Sequence, residues 1–104
     1  MKLDILELKK KLDLELNNWS LITNGGIVRY ITRNEVRGLD FGKVIESIWL
    51  LAETINHHPD ILLQYNEIKI LLVTHDESGV TIKDVEMAKK IDSLLVRFLK
   101  ISKI

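Results

Sequence analysis

Residues 54–59, Thr54-Ile55-Asn56-His57-His58-Pro59, set the architecture, because a helix has to end there and a strand has to begin. Upstream, Asp40 to Ile55 carries a helical pattern. At about 100° per residue, Val44, Ile45, Ile48, Leu51, Ala52 and Ile55 fall on one broad apolar stripe. Asp40 is placed to cap that helix. Pro59, the only proline in the chain, disfavours helical geometry at the residue before it. The helix is therefore predicted to end near Asn56, leaving His57 and His58 in a constrained, extended exit. Downstream, Ile61 to Tyr65 and Ile68 to Thr74 read as two strands joined through Asn66-Glu67. The second is apolar on both faces apart from Lys69, as a central strand would be.

Working outward gives the remaining elements. Asp4 to Leu12 reads as a short helix with Ile5, Leu8 and Leu12 on one face. The run Lys9-Lys10-Lys11 has no aromatic or glycine companion and reads as a solvated helix face. Trp19 to Ile22 and Ile27 to Thr32 form a predicted hairpin across Thr23-Asn24-Gly25-Gly26, where Asn-Gly supplies the positive φ angles of a tight turn. The polar segment Arg33 to Gly38 is predicted to be a loop. Thr81 caps a final helix running to about Leu99, with Asp84 as its capping-box partner. Val85, Ala88, Ile91, Leu95, Phe98 and Leu99 form the apolar face of that helix. The expected fold is α+β, in the order α-β-β-α-β-β-α. Three helices cover one face of a four-stranded antiparallel sheet in a single domain spanning 1–104.

Composition excludes several classes of function. The 104 residues are 46% hydrophobic and 29% charged, with 15 basic and 15 acidic side chains and a net charge of zero. A neutral chain of this kind has no global attraction to nucleic acid or to anionic membrane. Near-zero charge favours self-association, and on the central helix Leu50 falls opposite the apolar stripe with Trp49 at its edge, making that helix the expected contact in a homodimer or homotetramer. No cysteine is present, which removes disulfides and thiolate chemistry and fits a cytoplasmic protein. No apolar signal region opens the chain and no apolar run is long enough to span a membrane.

All three histidines lie between positions 57 and 75. Histidine has an unperturbed pKa of about 6.5 and exchanges protons near neutrality. If the strand from Ile61 pairs with the strand ending at Thr74, the helix exit and His75 meet at the open end of that hairpin. Asp84, in the first turn of the last helix, can fold back to the same mouth. Three readings follow. In the first, each histidine satisfies a local hydrogen bond while Asp84 caps a helix. Three imidazoles and a carboxylate could instead bind zinc, although neighbours such as His57 and His58 rarely converge on one ion. Finally, one histidine could take a proton while another gives one, the carboxylate orienting a ring. With no evident nucleophile or phosphate loop, that third reading suits a dehydration or tautomerisation.

These residues also carry a resemblance. Glu53-x-x-x-His57-His58-Pro59, Tyr65 six residues after the proline, Thr74-His75, Gly79, Asp84 and Ala88 resemble the signature of the pterin-4a-carbinolamine dehydratases, and Trp19 matches as well. The similarity is densest from Glu53 to Asp92. It implies a fold of three helices on a four-stranded antiparallel sheet. It also implies loss of water from 4a-hydroxytetrahydrobiopterin, or a related pterin, to give the quinonoid dihydropterin in tetrahydrobiopterin recycling. No metal or organic cofactor is implied. His57 and His75 are then the acid and base, Asp84 supports a histidine, and His58 with Thr74 and Pro59 binds the pterin. Glu53 stands behind them. Animal members also act as transcriptional coactivators, so a non-catalytic binding or assembly domain is the alternative. Ile61 stands where the family often has an aromatic residue, and Arg33 to Gly42 replaces an aromatic-rich stretch. Both departures bear on pterin stacking and substrate choice more than on the acid–base residues.

Overall fold

The first and last helices pack on the same face of a sheet whose two central strands are separated in the chain by the middle helix and an edge strand. The structure, a computed structural model, describes residues 1–23 and 25–100. The elements are α1 (Ile5–Glu15), β1 (Ser20–Leu21), β2 (Ile27–Thr32), α2 (Phe41–Ile55), β3 (Asp60–Leu63), β4 (Glu67–Leu72) and α3 (Ile82–Leu95). The strands lie in the order β1-β2-β4-β3, and every neighbouring pair is antiparallel. The expected α-β-β-α-β-β-α order is the order observed.

Side-chain alternation explains how the sheet meets the helices. In β4, Ile68, Ile70 and Leu72 are fully buried while Glu67, Lys69 and Leu71 are only partly covered. Their β2 partners Ile31, Arg29 and Ile27 share the covered face. Against that face α2 presents Phe41, Val44, Ile48 and Ala52, and α3 presents Val85, Ala88, Ile91 and Leu95. Each such aliphatic side chain contributes about 1.5–3 kcal/mol on full burial. No helix among the described residues is long and apolar enough to cross a membrane.

The one charged residue within that face is Arg29, 6% exposed. Its Nη1 lies 2.6 Å from Asp92 Oδ1 on α3, and the indole Nε1 of Trp19 donates to the same oxygen at 2.8 Å. One carboxylate thus joins α3 to the sheet and to the α1–β1 connection. Among the described residues, Arg29 Nε is buried without a hydrogen-bond partner. Outside the core, α1 is tied to α3 by Lys89 and Glu15, 2.5 Å apart and both well exposed. The Lys89 ammonium holds the Glu15 carboxyl below its ordinary range, and Glu15 in turn raises Lys89. That pair supports the fold between the two titrations and loses its effect as pH falls through the first or rises through the second.

Several expected boundaries move, each for a tertiary reason. α1 runs on to Glu15. β1 is only two residues long, because Trp19 is still bonded backward, its N–H to the Leu16 carbonyl, and its ring is buried. Arg33 to Gly38 is no simple loop. Two 3-10 turns flank Val36, which is buried and pairs with Leu99 as an isolated antiparallel bridge. That bridge also explains why α3 ends at Leu95. Phe98 and Leu99 fold their N–H groups back to the Leu95 carbonyl, and Lys100 then donates to Glu35. Asp40 is not a side-chain cap. Its backbone is already helical, because the Gly38–Asp40 turn leads straight into α2, and its carboxylate faces Arg37 and Lys43 instead. Asn24 of the expected Asn-Gly turn lies outside the described residues. Gly25 beside it has φ +93°, a conformation that suits glycine.

Asp92→Ala is expected to destabilise the protein by about 3 kcal/mol, since it strands a buried guanidinium and an indole N–H. The double substitution Arg29→Met with Asp92→Leu should recover most of that loss. Urea unfolding of the three variants measures both.

Candidate functional site

The site begins where α2 stops. Asn56 adopts the left-handed conformation, φ 56° and ψ 44°, which asparagine tolerates better than most residues. The N–H groups of Asn56 and His57 both close on the Ala52 carbonyl. Pro59 follows, buried, and β3 starts at Asp60. The histidines therefore lie in the short segment between a completed helix cap and the first strand residue.

His57 and His58 turn to different carboxylates. His57 Nε2 is 2.6 Å from Asp84 Oδ1. Asp84 is fully buried and His57 is only 16% exposed. The other oxygen, Asp84 Oδ2, accepts from the Thr74 hydroxyl at 2.7 Å and from the Thr81 backbone N–H at 2.9 Å. The Thr81 contact completes the capping box of α3. His58 Nε2 instead lies 2.6 Å from Glu53 Oε2, one turn back on α2, and its ring sits 5.0 Å from that of Trp49. Glu53 is 58% exposed, so this second pair is the looser one.

The bonding pattern assigns the His57 tautomer. Two donors already fill Asp84 Oδ2, and Oδ1 is the acceptor that faces the imidazole. His57 therefore carries its proton on Nε2 when neutral, and Nδ1 is the nitrogen that Asp84 leaves free. A buried carboxylate behind an imidazole fixes both the tautomer and the ring plane, and it stabilises the imidazolium that forms when Nδ1 takes a proton. A ring held in this way can serve as a general acid or base.

The hairpin brings the expected residues to one end of the sheet without merging them into one cluster. Asp60 pairs with Leu71, which places the α2 exit and the end of β4 together. Through Asp84, Thr74 is connected to His57. His75, the next residue, begins a short 3-10 turn and is exposed. It borders a cleft of about 360 Å³ with Asp60, Val73 and Ser78. His57 borders a different cleft, of about 420 Å³, with Asn56, Ile82, Lys83, Glu86 and Lys90. The two imidazoles thus approach the Thr74 end of the strand from separate clefts. Among the described residues, no group of three or more His, Asp or Glu side chains is arranged to hold a metal ion.

Lys83, Glu86 and Lys90 were not singled out by the sequence reading. Their spacing of three and four positions puts them on one exposed face of α3, beside the capping-box aspartate. A helical projection around Asp84 would have found them. The hydroxyl contact from Thr74 to Asp84 had no sequence signal, because it joins residues ten positions apart across a loop.

A four-stranded antiparallel sheet under three helices, with a carboxylate-held histidine at the helix-to-strand junction, matches known proteins along most of the chain. Residues 1–94 match the family model described as pterin 4 alpha carbinolamine dehydratase. A relative from Sulfolobus acidocaldarius is 38% identical over 94 residues, covering 90% of this chain and 99% of its own. One from Aquifex aeolicus is 32% identical over 99 residues, covering 95% and 96%. Both carry the provisional name pterin-4-alpha-carbinolamine dehydratase. A crystal structure from Brucella melitensis, described as a transcriptional coactivator/pterin dehydratase, superposes with a TM-score of 0.80 at 27% identity, over 90% of this chain and 98% of that one. The chain belongs to the pterin-4a-carbinolamine dehydratase family.

The two carboxylates are expected to differ sharply in their effect on stability. Asp84→Ala removes the acceptor of three donors and should cost about 3 kcal/mol in chemical unfolding. Glu53→Ala, at an exposed pair, should stay within about 0.5 kcal/mol of the parent.

Proposed function

We propose that this protein dehydrates a 4a-hydroxytetrahydropterin to the quinonoid dihydropterin, with histidine acid–base catalysis. The observation that carries the reading is the His57–Asp84 pair, a ring whose orientation and tautomer are set by a fully buried carboxylate. Family membership supplies the substrate class. In the reaction, one imidazolium gives a proton to the departing 4a-hydroxyl, which leaves as water. A neutral imidazole takes the proton released from N5 as the C4a–N5 double bond forms. His57 and His75 fill these two roles. Their separate clefts suit a reaction that needs acid and base at different edges of a flat ring. His58, held by Glu53, binds and orients the pterin beside Pro59. The chemistry as written is complete with side chains alone and calls on no metal or organic cofactor. The reaction serves tetrahydrobiopterin recycling in the cytoplasm.

The same reading includes a homodimer or homotetramer assembled through the outer face of α2, where Trp49 and Leu50 are 45% and 60% exposed. A non-catalytic assembly or coactivator-type domain on this fold is the competing reading, and the description of the Brucella melitensis protein is what favours it.

Enzymatically generated 4a-hydroxytetrahydropterin should decay faster with the protein present. His57→Ala and His75→Ala should each lower the catalysed rate by about 10²–10⁴. A wild-type protein that gives only the spontaneous rate overturns the dehydratase reading, and partner binding retained by the double variant would favour the competing one. Leu50→Glu is expected to reduce the mass measured by sedimentation.

A further inference from the structure

The hydroxyl of Thr74 invites assignment as a substrate contact, since it lies at the strand end beside His75. Its hydrogen-bond partners point elsewhere. Thr74 Oγ1 is 2.7 Å from Asp84 Oδ2 and 2.8 Å from Thr81 Oγ1. A threonine hydroxyl has one proton to donate, and the carboxylate is an acceptor, so the Thr74 proton goes to Asp84. The Thr81 hydroxyl must then donate to Thr74, while its own oxygen accepts the Lys83 backbone N–H at 3.2 Å. The Thr81 backbone N–H meets the same Asp84 oxygen at 2.9 Å. Every proton in this run has one direction: Thr81 to Thr74, Thr74 to Asp84, and His57 to Asp84.

We propose that Thr74 and Thr81 are positioning residues for His57, a two-hydroxyl relay that holds the Asp84 carboxylate in the rotation that keeps the imidazole proton on Nε2. Burial is what gives the relay its leverage. Thr81 is 4% exposed and Asp84 is fully buried, so water is a poor substitute for a missing donor at the carboxylate, and a carboxylate with a vacant lone pair turns to recover one. Rotation of Asp84 weakens its hold on Nε2, and the neutral ring then divides between two tautomers. Only the Nε2–H form presents Nδ1 as a base. Thr81 has a second role as N-cap of α3, which a glycine fills at little cost. The relay and the cap can therefore be separated by substitution. The inference rests on the reading that His57 transfers protons, but its structural half stands on the hydrogen bonds alone.

The test uses the full chain labelled with nitrogen-15, reading the His57 ring nitrogens by NMR together with steady-state dehydration of a 4a-hydroxytetrahydropterin. Wild type should show a single neutral tautomer with the proton on Nε2. Thr74→Val, Thr81→Val and Thr81→Gly should each give a tautomer mixture and lower kcat about tenfold, with KM within about twofold. Thr74→Ser and Thr81→Ser, which keep the hydroxyls, should restore the single tautomer and most of the rate. They also keep the test open should a valine variant fail to fold. An unchanged ring pattern in Thr74→Val and Thr81→Gly overturns the relay. A raised KM with unchanged kcat in Thr74→Val also overturns it, assigning that hydroxyl to the substrate. An inactive wild type whose His57 tautomer still responds to these substitutions upholds the relay and refutes only the dehydratase reading.

Discussion

The carboxylate of Asp84 is the constraint on which the rest of this end of the molecule depends. It is fully buried, and an isolated buried carboxylate is costly by several kcal/mol unless donors surround it. The donors come from three places: His57 at the exit of α2, Thr74 past the end of β4, and the backbone of Thr81 at the start of α3. None of the three elements can shift without stranding the charge. The same requirement that stabilises the fold therefore fixes the geometry of the imidazole. Asp92 works similarly at the other end of α3, where Arg29 and Trp19 meet one oxygen. There the neighbours are all structural, and no titrating ring is held.

The contrast between the adjacent histidines follows from this. His57 leans on a fully buried carboxylate held by two further donors, whereas His58 leans on Glu53, a largely exposed side chain on α2. A ring held by a buried anion is suited to proton transfer, and one held by an exposed anion beside Trp49 is suited to adapting around a bound molecule. Asn56 makes the division geometrically necessary. Its left-handed turn at the helix end sends the chain off the α2 axis, so successive side chains leave in different directions.

Most of the fold was legible because its signals are local. The apolar stripe of α2, the stop at Pro59, the capping box at Thr81 and Asp84, and the strand alternation all appear within windows of a few residues. What was not legible depends on partners far away in sequence. The bridge between Val36 and Leu99 shortens α3 and organises a segment that reads as polar loop. Asp40 reads as a cap only if the preceding turn is ignored. At the site, the sequence gathered the three imidazoles and Asp84 at one end of the hairpin. The structure joins His57 to Asp84, with Thr74 on the same carboxylate, while His58 turns to Glu53 and His75 borders another cleft. The sequence did not separate the His57 cleft from the His75 cleft, because which side of a strand end a side chain faces depends on the turn that follows. The Thr81–Thr74 contact is of the same kind, a loop closure with no periodicity behind it.

The central claim is that His57, held by Asp84, works on the pterin ring through Nδ1. The most direct measurement is a crystal structure with bound 7,8-dihydropterin, reading the distance from His57 Nδ1 to the C4a–N5 edge. The account predicts hydrogen-bond reach, about 2.6–3.2 Å or one bridging water, with Nε2 still on Asp84. A pterin seated with that edge away from His57, or a His57 ring that turns from Asp84 to meet it, would contradict the account.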